Sequence, residues 1–546
     1  MKKTTIIIGL TIFWLFYDCG HRGNFSSDET QVIFDRAEMN GKLANEGYNR
    51  CLKYVHAWLA LADPSTGLIP RNINDKQSKD IWNAKDCAAD NYPFMVLTSA
   101  LLDQELFNGK MREMLETEKK LTSRLGVLPD TYSFSKKGFL KKYVSFSGII
   151  FGSAEYVKDG LIPLTEWLGP SPWSERMIAI IDNVLKYAYV ETPFGKIVSD
   201  DPEVNGDMLQ SLSRIYWITG DKKYLHQAIR IGDYYLLGKN HPTKNFKVLR
   251  LRDHGCEIVS GLCELYAAVS YTDPLKKEIY KAPLYEMLDR ILETGRNNDG
   301  LFYNSINPVK GIPVNGGIAD NFGYTLNGFY TVYLLDNIER YRAPVLKTLS
   351  VLNEKYRNFP WEGSSSDGYA DAIEGALNLY TREKVLSAEQ WINSEIKVMW
   401  NKQQQSGIIE GWHGDGNFAR TTIMYCLWKT QGTYILPWRN DLEIGAVKDD
   451  SLLYLTLSAR EDWEGRLMFD KKRHSEFMHF PVDWPRINQF PEYFTADTDK
   501  IYQIKTDDDT MIQIPGAELR KGYPVKVGKG KCLKLIINTV NQLHTR

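Results

Sequence analysis

The sequence predicts a mainly α-helical fold, an (α/α)6-type toroid of six or seven helical hairpins followed by a small C-terminal antiparallel β domain. Amphipathic helices with one charged face alternate along the chain with helices that are apolar on every side. This alternation recurs about every 54 residues between Asp90 and Asp415, which is typical of a repeat of helix pairs. After Trp438 the pattern changes to short runs of alternating polar and apolar residues, which indicates strands.

Residues 1–19 have the pattern of a secretory signal peptide. Two lysines precede an apolar run that is too short to favour a membrane-spanning helix. Cys19 follows this run directly and is a candidate for lipid attachment to a membrane, although Asp18 is a poor residue for a lipoprotein cleavage site. We therefore expect an exported protein, either periplasmic or a membrane-anchored lipoprotein, with residues 20–46 as a linker.

Residues 47–438 are predicted to form the toroid. Helices with a charged face, such as "LFNGKMREMLETEKKLTSRL", suit an outer layer that water reaches on one side. Helices without a charged face, such as "DHGCEIVSGLCELYAAV", must be surrounded by protein and suit an inner layer. Connectors such as "SGIIEGWHGDG" place glycine after an outer helix and polar residues before the inner one. An open solenoid of the same hairpins is the competing geometry.

Residues 439–546 are predicted to form the β domain, because runs such as "SLLYLTLSA" and "CLKLIINTV" are separated by turns. The segment from Phe480 to Asp497 is rich in aromatic residues and proline. We expect this segment to form a loop that packs on the helical domain, with a position at the border of the cleft as the alternative.

Composition excludes several classes of partner and cofactor. Lys and Arg number 67 against 68 Asp and Glu, so the net charge of −1 provides no overall attraction to nucleic acid. The seven cysteines lack the paired spacing of a disulfide scaffold, and no C-x-x-C or H-E-x-x-H spacing indicates zinc. We therefore expect no metal, no cofactor and no nucleic-acid partner, and we leave the oligomeric state open.

The starts of the inner helices carry polar residues that a toroid would gather at one end of the ring. Unpaired backbone N–H groups at helix starts favour negative groups and hydroxyl-rich ligands there. A cleft with several carboxylates fits sugar chemistry. The residues expected at this rim are Asp90, Asn91, Asp207, His254, Glu257, Asp320, Asn321, Asp371, Glu374, His413 and Asp415.

Hydrolysis of a glycosidic bond needs an acid that protonates the leaving oxygen and a carboxylate that activates water or attacks carbon. We assign these roles to Asp207 as acid/base and Asp90 as its carboxylate partner, with Asp415 and Glu257 as further catalytic candidates. The alternative for each aspartate is that it caps a helix by accepting backbone N–H bonds. The substrate-binding candidates are Asn91, Tyr92, His254, Asp320, Asn321, Trp412, His413, Asn417 and Arg420.

Several of these residues have a purely structural alternative. His254 and Glu257 are three positions apart and can form a structural pair on one helix face. Trp412 can stack on a sugar ring or belong to the core. Arg420 can hold a uronate carboxylate through two hydrogen bonds or form an ion pair between helices.

Two motifs resemble those of unsaturated glucuronyl hydrolases, within the six-hairpin glycosidase superfamily. These motifs are "ADNYPF" with Asp90 and "NGDMLQSLSRIYWITGDKKYL" with Asp207. The resemblance implies a secreted or periplasmic glycoside hydrolase that acts on uronate-containing oligosaccharides or polysaccharides by carboxylate acid/base catalysis. In the glucuronyl-hydrolase reaction, water adds to an enol-ether double bond, so one aspartate donates a proton and the second orients the substrate.

Other functions remain as alternatives on the same pattern. A polysaccharide lyase on the same toroid would use a Tyr or His base, for which Tyr92, His254 and His413 are candidates. A non-catalytic glycan-binding lipoprotein of SusD type would share the length, the signal and the helical hairpins. A sugar epimerase on an α/α barrel is disfavoured by the secretory signal. The regular polar starts of the inner helices favour an enzyme over a binding protein.

Overall fold

The structure, a computed structural model, describes residues 28–540. The expected signal peptide at 1–19, including Cys19, lies outside the described residues, and so does the side chain of His254. In the described part of the chain, no helix combines the length and the apolar composition that crossing a membrane requires.

The linker expected at 20–46 is helical from Asp28 onward, as the first half of helix α1 (Asp28–Ala60). Phe34 in this half is fully buried, and its ring packs edge-on against Tyr454 of the β domain with 5.5 Å between centroids. The linker prediction was wrong because the widely spaced apolar residues of this stretch form one face of a helix that covers the β domain.

Two concentric layers of helices make up the toroid. Within the described residues, the outer layer consists of α1, α5 (Lys110–Thr122), α8 (Pro172–Lys186), α10 (Lys222–Leu236), α12 (Pro274–Thr294), α14 (Glu339–Lys355) and α16 (Leu386–Trp400). The inner layer consists of α3 (Tyr92–Leu102), α6 (Phe146–Glu155) with its continuation α7 (Ile162–Leu168), α9 (Pro202–Thr219), α11 (Glu257–Thr272), α13 (Phe322–Asp336), α15 (Ser366–Tyr380) and α17 (Gly414–Lys429). The short helices are α2 (Lys76–Lys79), α4 (Gln104–Asn108), α18 (Arg473–Glu476) and α19 (Gly516–Leu519).

The inner helices form a closed ring. Every residue of α17 is buried, whereas α5 buries one face, as the apolar and amphipathic patterns predict. Each inner helix packs on the next one, and α17 returns to α3, so the ring closes and the open solenoid is excluded. The toroid prediction is confirmed, with seven hairpins among the described residues.

Two π-helical stretches interrupt the inner layer. One spans Ala84–Asn91 directly before α3, and the other spans Tyr156–Leu161 between α6 and α7. They pack on each other at Gly160, where a Cβ would lie 2.9 Å from the carbonyl oxygen of Ala88. Such π turns occur frequently at functional sites, and the sequence analysis did not anticipate either of them.

Short antiparallel strands in the connectors lie at the edge of the ring. They pair in the orders β1-β4-β5, β2-β3 and β6-β7-β8. Their bounds are β1 (Ile81–Trp82), β2 (Ser123–Leu125), β3 (Leu128–Pro129), β4 (Tyr132–Ser133), β5 (Gly138–Phe139), β6 (Leu249–Arg250), β7 (Tyr303–Asn307) and β8 (Ile312–Ile318).

The C-terminal part is a β domain of two antiparallel sheets, with strand orders β10-β11-β16-β13-β14 and β15-β12-β9. Side chains of both sheets, such as Leu455 and Leu467, share one buried core. The domain begins a little before the expected boundary at 439, because its first strand precedes that position. The strands are β9 (Tyr434–Leu436), β10 (Leu442–Asp449), β11 (Leu452–Ala459), β12 (Trp463–Met468), β13 (Ile501–Thr506), β14 (Met511–Pro515), β15 (Tyr523–Val527) and β16 (Lys531–Thr539).

The connection between β12 and β13 sends residues 483–490, here called the plug segment, into the ring. The amide of Asn378, near the end of α15, donates to the carbonyl oxygen of Arg486 at 2.9 Å. The guanidinium of Arg486 reaches Glu166, near the end of α7, at 2.7 Å. The plug segment therefore enters among the carboxyl ends of the inner helices, and its contact with the helical domain confirms the expected packing of this loop.

Candidate active site

The amino ends of the inner helices surround an inner pocket of about 60 Å³. A wider cleft of about 510 Å³ shares four of its lining residues, so the cleft is the route from solvent into the inner pocket. The carboxylates that line the inner pocket are Asp90, Asp159, Asp253, Glu257, Asp367 and Asp371. Its cationic groups are Lys158, His413 and Arg420.

His413 stands between two acidic groups directly before α17. Its Nδ1 lies 3.3 Å from Asp86, and its Nε2 lies 4.0 Å from Asp367. Burial lowers the pKa of His413, but the bond with Asp86 and the charges of Asp90 and Asp367 outweigh burial and raise the pKa to about 9. The imidazole is therefore a cation at neutral pH.

Asp86 is the ionised partner of this cation. Burial disfavours its charge, but the bonds from His413 and Asn83 and the nearby charge of Arg71 hold the pKa of Asp86 well below its usual range. The amide of Asn83 donates to Asp86 at 2.6 Å, and the guanidinium of Arg71 also pairs with this carboxylate. Asp86 therefore positions His413 and is not itself available to donate a proton.

Asp90 and Asp367 are two pocket carboxyl groups with raised pKa values. Burial is the main cause for both, and repulsion from neighbouring carboxylates adds to it. The pKa of Asp90 rises well above its usual range, and that of Asp367 rises to about 7, although the charge of His413 lowers both. The amide of Asn417 donates to Asp367 at 2.7 Å.

Arg420 organises a buried polar network beside this pair. Its Nη2 lies 2.7 Å from Asp371 and 2.8 Å from Glu374, and its Nη1 donates to Asn417 at 2.9 Å. The hydroxyl of Tyr324 donates to the same two carboxylates. Burial raises the pKa of Glu374 to about 7 in spite of Arg420. Asn417 and Arg420 were both expected to bind substrate, and both line the inner pocket.

Lys158 holds a second group of carboxylates together. Its Nζ lies 2.7 Å from Asp159, 2.5 Å from Glu257 and 3.7 Å from Asp207. Gln210 also donates to Glu257. The pKa of Lys158 rises above its usual range because its carboxylate neighbours outweigh burial, which lowers it. Glu257 therefore belongs to the site as an ion-paired residue.

Asp207 does not line the pocket, which corrects its assignment as the acid/base. Its side chain is 0% exposed and lies behind Lys158. Neither carboxylate oxygen of Asp207 has a hydrogen-bond partner among the described residues, and burial raises its pKa. A substrate in the pocket would meet Lys158 before it met Asp207.

Asp415, another catalytic candidate, holds a connector together instead. Its oxygens accept hydrogen bonds from the backbone N–H groups of Ile409, Glu410 and Gly411 and from the indole of Trp58 at 3.1 Å. These donors occupy the carboxylate of Asp415, which argues against catalysis. Asp415 does not cap α17 either, because it lies inside this helix and its backbone donors belong to the preceding connector.

Asn91 and Tyr92 face the outer layer, which corrects their assignment to substrate binding. The hydroxyl of Tyr54 in α1 donates to Asn91 at 2.6 Å. The hydroxyl of Tyr92 donates to the carbonyl oxygen of Met111 and accepts from the indole of Trp173. Both side chains are buried and fasten the first inner helix to its neighbours.

The remaining candidates border the site. Trp412 lines the cleft, and its indole donates to Glu410 at 2.9 Å. Asn321 lines the inner pocket, and its amide donates to the carbonyl oxygen of Asp253 at 3.2 Å. Asp320 is buried, its pKa is raised chiefly by burial, and its charged neighbour Arg252 lies 3.8 Å away.

Sequence reasoning missed Asp367, Lys158, Asp159, Tyr324 and Asn488. A signal existed for Asp367, which follows the N-cap Ser365 in "SSSDGYADAIEG". A signal also existed for Lys158 and Asp159, since an adjacent ion pair inside an apolar helix must be buried among partners. The composition of the segment from Phe480 to Asp497 offered a position at the cleft border as an alternative, but only the tertiary path of the plug segment identifies Asn488 as a residue of the pocket.

Donor atoms of Asp86, Asp90 and His413 lie within 4.8 Å of one another, a spacing that suits a small cation. Arg71 and Asn83 already occupy Asp86. The raised pKa of His413 favours the protonated imidazole, which has no free lone pair for a metal. The three residues therefore fit an ion-paired network better than a metal centre.

Comparisons with known proteins give likenesses at the level of the fold. No protein-family model and no curated protein sequence matches this chain. A family 76 glycoside hydrolase from a bovine Bacteroides thetaiotaomicron strain is 14% identical, with a TM-score of 0.40 over 57% of this chain and 76% of that chain. Cellobiose 2-epimerase from Bacillus thermoamylovorans is 12% identical, with a TM-score of 0.38 over 57% of this chain and 87% of that chain.

A family 127 β-arabinofuranosidase is 11% identical, with a TM-score of 0.38, and it covers 94% of this chain and 76% of that chain. At these identities the likenesses concern the helical fold, and the functional argument rests on the site. The resemblance of two motifs to unsaturated glucuronyl hydrolases stays a prediction.

Proposed function

We propose that this protein is a carbohydrate-active enzyme, a glycoside hydrolase whose catalytic pair is Asp90 and Asp367. The observation that carries the proposal is the presence of these two carboxyl groups, both with raised pKa values, beside a cationic His413 in one solvent-reachable pocket. Glycoside hydrolysis needs one carboxyl group that keeps its proton and one that ionises. Different surroundings give the two carboxyl groups different pKa values.

The surroundings of Asp90 and Asp367 stabilise the ionised carboxylate to different extents. Asp90 is the proposed general acid, because burial and the neighbouring carboxylates raise its pKa well above the usual range, which favours its protonated form. Asp367 is the proposed carboxylate that activates water or attacks carbon, since the amide of Asn417 stabilises its ionised form in addition to the charge of His413, which acts on both groups. This assignment keeps Asp90 from the sequence prediction and replaces Asp207.

We expect a neutral glycan substrate rather than a uronate. Six carboxylates against three cationic groups line the inner pocket, and each of those cationic groups already has a carboxylate partner. A uronate carboxylate would enter the inner pocket without an unpaired cation to receive it, because Lys85 and Arg250 line the wider cleft and not the inner pocket. The same argument disfavours a polysaccharide lyase, which must neutralise the uronate carboxylate.

The test is activity on a panel of neutral and uronate-containing oligosaccharides, followed by new reducing ends and by ultraviolet absorbance. We expect new reducing ends from neutral substrates without a gain in absorbance. Asp367→Asn and Asp90→Asn should each lower kcat/KM by about 100-fold to 10,000-fold while circular dichroism stays unchanged. Asp499→Asn, a change at an exposed turn of the β domain, is the matched control and should retain full activity.

Other results would contradict the proposal in distinct ways. A rise in absorbance would identify a lyase, and loss of absorbance from unsaturated oligosaccharides would identify glucuronyl-hydrolase chemistry. A glycan that raises the melting temperature without being turned over would identify a binding protein. Full activity of Asp367→Asn would remove Asp367 from the catalytic pair.

A further inference from the structure

A second cavity lies where the toroid meets the β domain, and its charge is opposite to that of the acidic pocket. This junction pocket, of about 680 Å³, lies between α1, the carboxyl ends of α15 and α17, and strand β10. Its volume falls within the usual range for small-molecule sites. The amino ends of α15 and α17 carry the acidic pocket, so the two cavities lie toward opposite ends of the same helices.

Unpaired cations line the junction pocket. None of the five side chains makes an ion pair or hydrogen bond within the part of the chain that the structure describes. Two of the three lining acids are engaged, because Glu389 accepts from the hydroxyl of Tyr380 at 2.8 Å and Glu492 lies 2.8 Å from His474. The third acid, Asp450, lies in an exposed turn. The five cations are Arg36, Lys384, Lys397, Lys429 and Lys448.

Lys429 is the buried member of this group, with 5% of its side chain exposed. Its Nζ lies 3.5 Å from the centroid of the Trp428 ring and 5.0 Å from that of Tyr425. Burial and the charges of Arg36 and Lys397 lower the pKa of Lys429 to about 7, although Glu389 opposes them. A buried ammonium without an anion is costly, and a bound anion would relieve that cost.

Lys384 lies at the other wall and is exposed to solvent. Its Nζ lies 4.5 Å from the centroid of the Tyr380 ring. Aromatic faces thus keep both ammonium groups in place without neutralising them. The amide side chains of Asn40 and Gln431 and the hydroxyl of Thr381 add neutral polar groups to the lining.

We propose that the junction pocket binds a sugar-sized organic anion that carries phosphate or sulfate ester groups. The unpaired ammonium and guanidinium groups would pair with the ester oxygens. Asn40, Gln431 and Thr381 already donate to backbone carbonyl oxygens, so their side-chain oxygens would accept hydrogen bonds from the sugar hydroxyls. Since the acidic pocket repels such a ligand, this site selects a different molecule from the proposed substrate. The inference stands on the junction pocket alone and does not depend on the proposed hydrolase activity.

The test uses the full chain and titrates a monosaccharide phosphate, a monosaccharide sulfate, inorganic phosphate, inorganic sulfate and the neutral monosaccharide. We expect at least one charged sugar to bind saturably in calorimetry, to raise the melting temperature and to weaken as salt increases. The neutral sugar should not bind at this site. Absence of saturable binding by every charged sugar would overturn the proposal, as would inorganic anions that bind as tightly as their sugar esters.

Lys429→Met is the decisive variant, because it keeps the aliphatic packing on Trp428 and removes the charge. We expect it to retain or raise the melting temperature of the free protein and to raise the Kd of the charged sugar at least about tenfold. Lys247→Met, in an exposed connector, is the matched control and should leave the Kd unchanged. An unchanged Kd for Lys429→Met would overturn the proposal.

A second variant protects the test against a folding defect. Lys384→Gln combined with Lys448→Gln alters two exposed residues of the junction pocket, so we expect a stable protein. We expect its Kd for the charged sugar to rise and the salt dependence of binding to become weaker. Unchanged affinity and salt dependence would show that these cations do not form a ligand site.

Discussion

Asp207 and Asp367 both follow a polar connector, but only Asp367 reaches the pocket. Helix α9 begins at Pro202 after the N-cap Asp201, which places Asp207 well inside the helix and behind Lys158. Asp367 is the second residue of α15, two positions after the N-cap Ser365, and it faces the pocket. Asp371, the sixth residue of α15, lines the pocket although it lies as deep in its helix as Asp207 does in α9. The cover that Lys158 gives Asp207, rather than depth along the helix alone, therefore keeps this carboxyl group from a substrate.

At the same scale, His413 should control the acidic limb of the activity profile. Removing its charge in His413→Gln should raise the pKa of Asp367, because in the wild-type protein the imidazolium cation favours the ionised form of Asp367. The ionised form of Asp367 would then appear at higher pH, so the acidic limb of kcat/KM should move upward by about one pH unit. The measurement is the pH dependence of kcat/KM for the wild-type and variant proteins.

The control for this change is His226→Gln, which alters an exposed histidine of α10. We expect its acidic limb to coincide with that of the wild-type protein. An acidic limb of His413→Gln that stays in place would mean that Asp367 does not set it.

At the scale of elements, the alternation of amphipathic and apolar helices was sufficient to predict the two layers. The pattern did not predict how closely the inner helices approach. Gly323 and Gly375 face each other between α13 and α15, where a Cβ on Gly323 would lie 2.3 Å from the Cα of Gly375. The π-helical stretches that present Asp90 and Lys158 also lack a hydrophobic period of their own. Backbone contact between helices, rather than the pattern within one helix, sets these features.

Gly416→Ala should break the contact that closes the ring. A Cβ at this position would lie 2.0 Å from the carbonyl oxygen of Asp90, which is backbone and cannot move aside. We expect a loss of about 3 kcal/mol or more in the free energy of unfolding, and a loss of activity since Asp90 must shift. Urea denaturation and kcat/KM measure the two effects.

Gly316→Ala is the matched control for Gly416→Ala. Gly316 lies in exposed strand β8, and a Cβ there would meet no atom within 4 Å. We expect stability and activity close to those of the wild-type protein. If Gly416→Ala were equally harmless, the first and last inner helices could not be packed as closely as described.

At the scale of the whole molecule, the β domain completes the site through the plug segment. The backbone N–H of Asn488 donates to Glu374 at 2.7 Å, and its side-chain amide donates to Asp159 at 2.8 Å. Arg420 also donates to the side-chain oxygen of Asn488, at 3.0 Å. The tip of the plug segment thus lies at the inner end of the pocket and joins two halves of its polar network.

The buried acids should make the whole protein less stable as the pH rises from 5 to 7. Burial raises the pKa values of Asp367 and Glu374 to about 7, so the folded chain retains protons that the unfolded chain releases near pH 4. Each retained proton lowers the free energy of unfolding by about 1.4 kcal/mol per pH unit in this window. Denaturation curves at several pH values measure this slope.

Asp367→Asn tests the origin of the slope. Removing one of the titrating groups should make stability less dependent on pH between 5 and 7, whereas the control Asp499→Asn should leave the slope unchanged. A stability that is constant or that rises over this range would contradict the raised pKa values of the buried acids.

The order of secondary structure was determined within the sequence, because hydrophobic period and turn residues act over a few neighbouring positions. The helical layers, the β strands after the toroid, and His413, Asn417 and Arg420 at the start of the last inner helix were therefore predictable. The presence of Asp90 and Asp367 in one pocket, the burial of Asp207 and the arrival of Asn488 depended on the tertiary structure. These contacts join residues far apart in the chain, where desolvation and charge depend on which helix ends meet once the ring has closed.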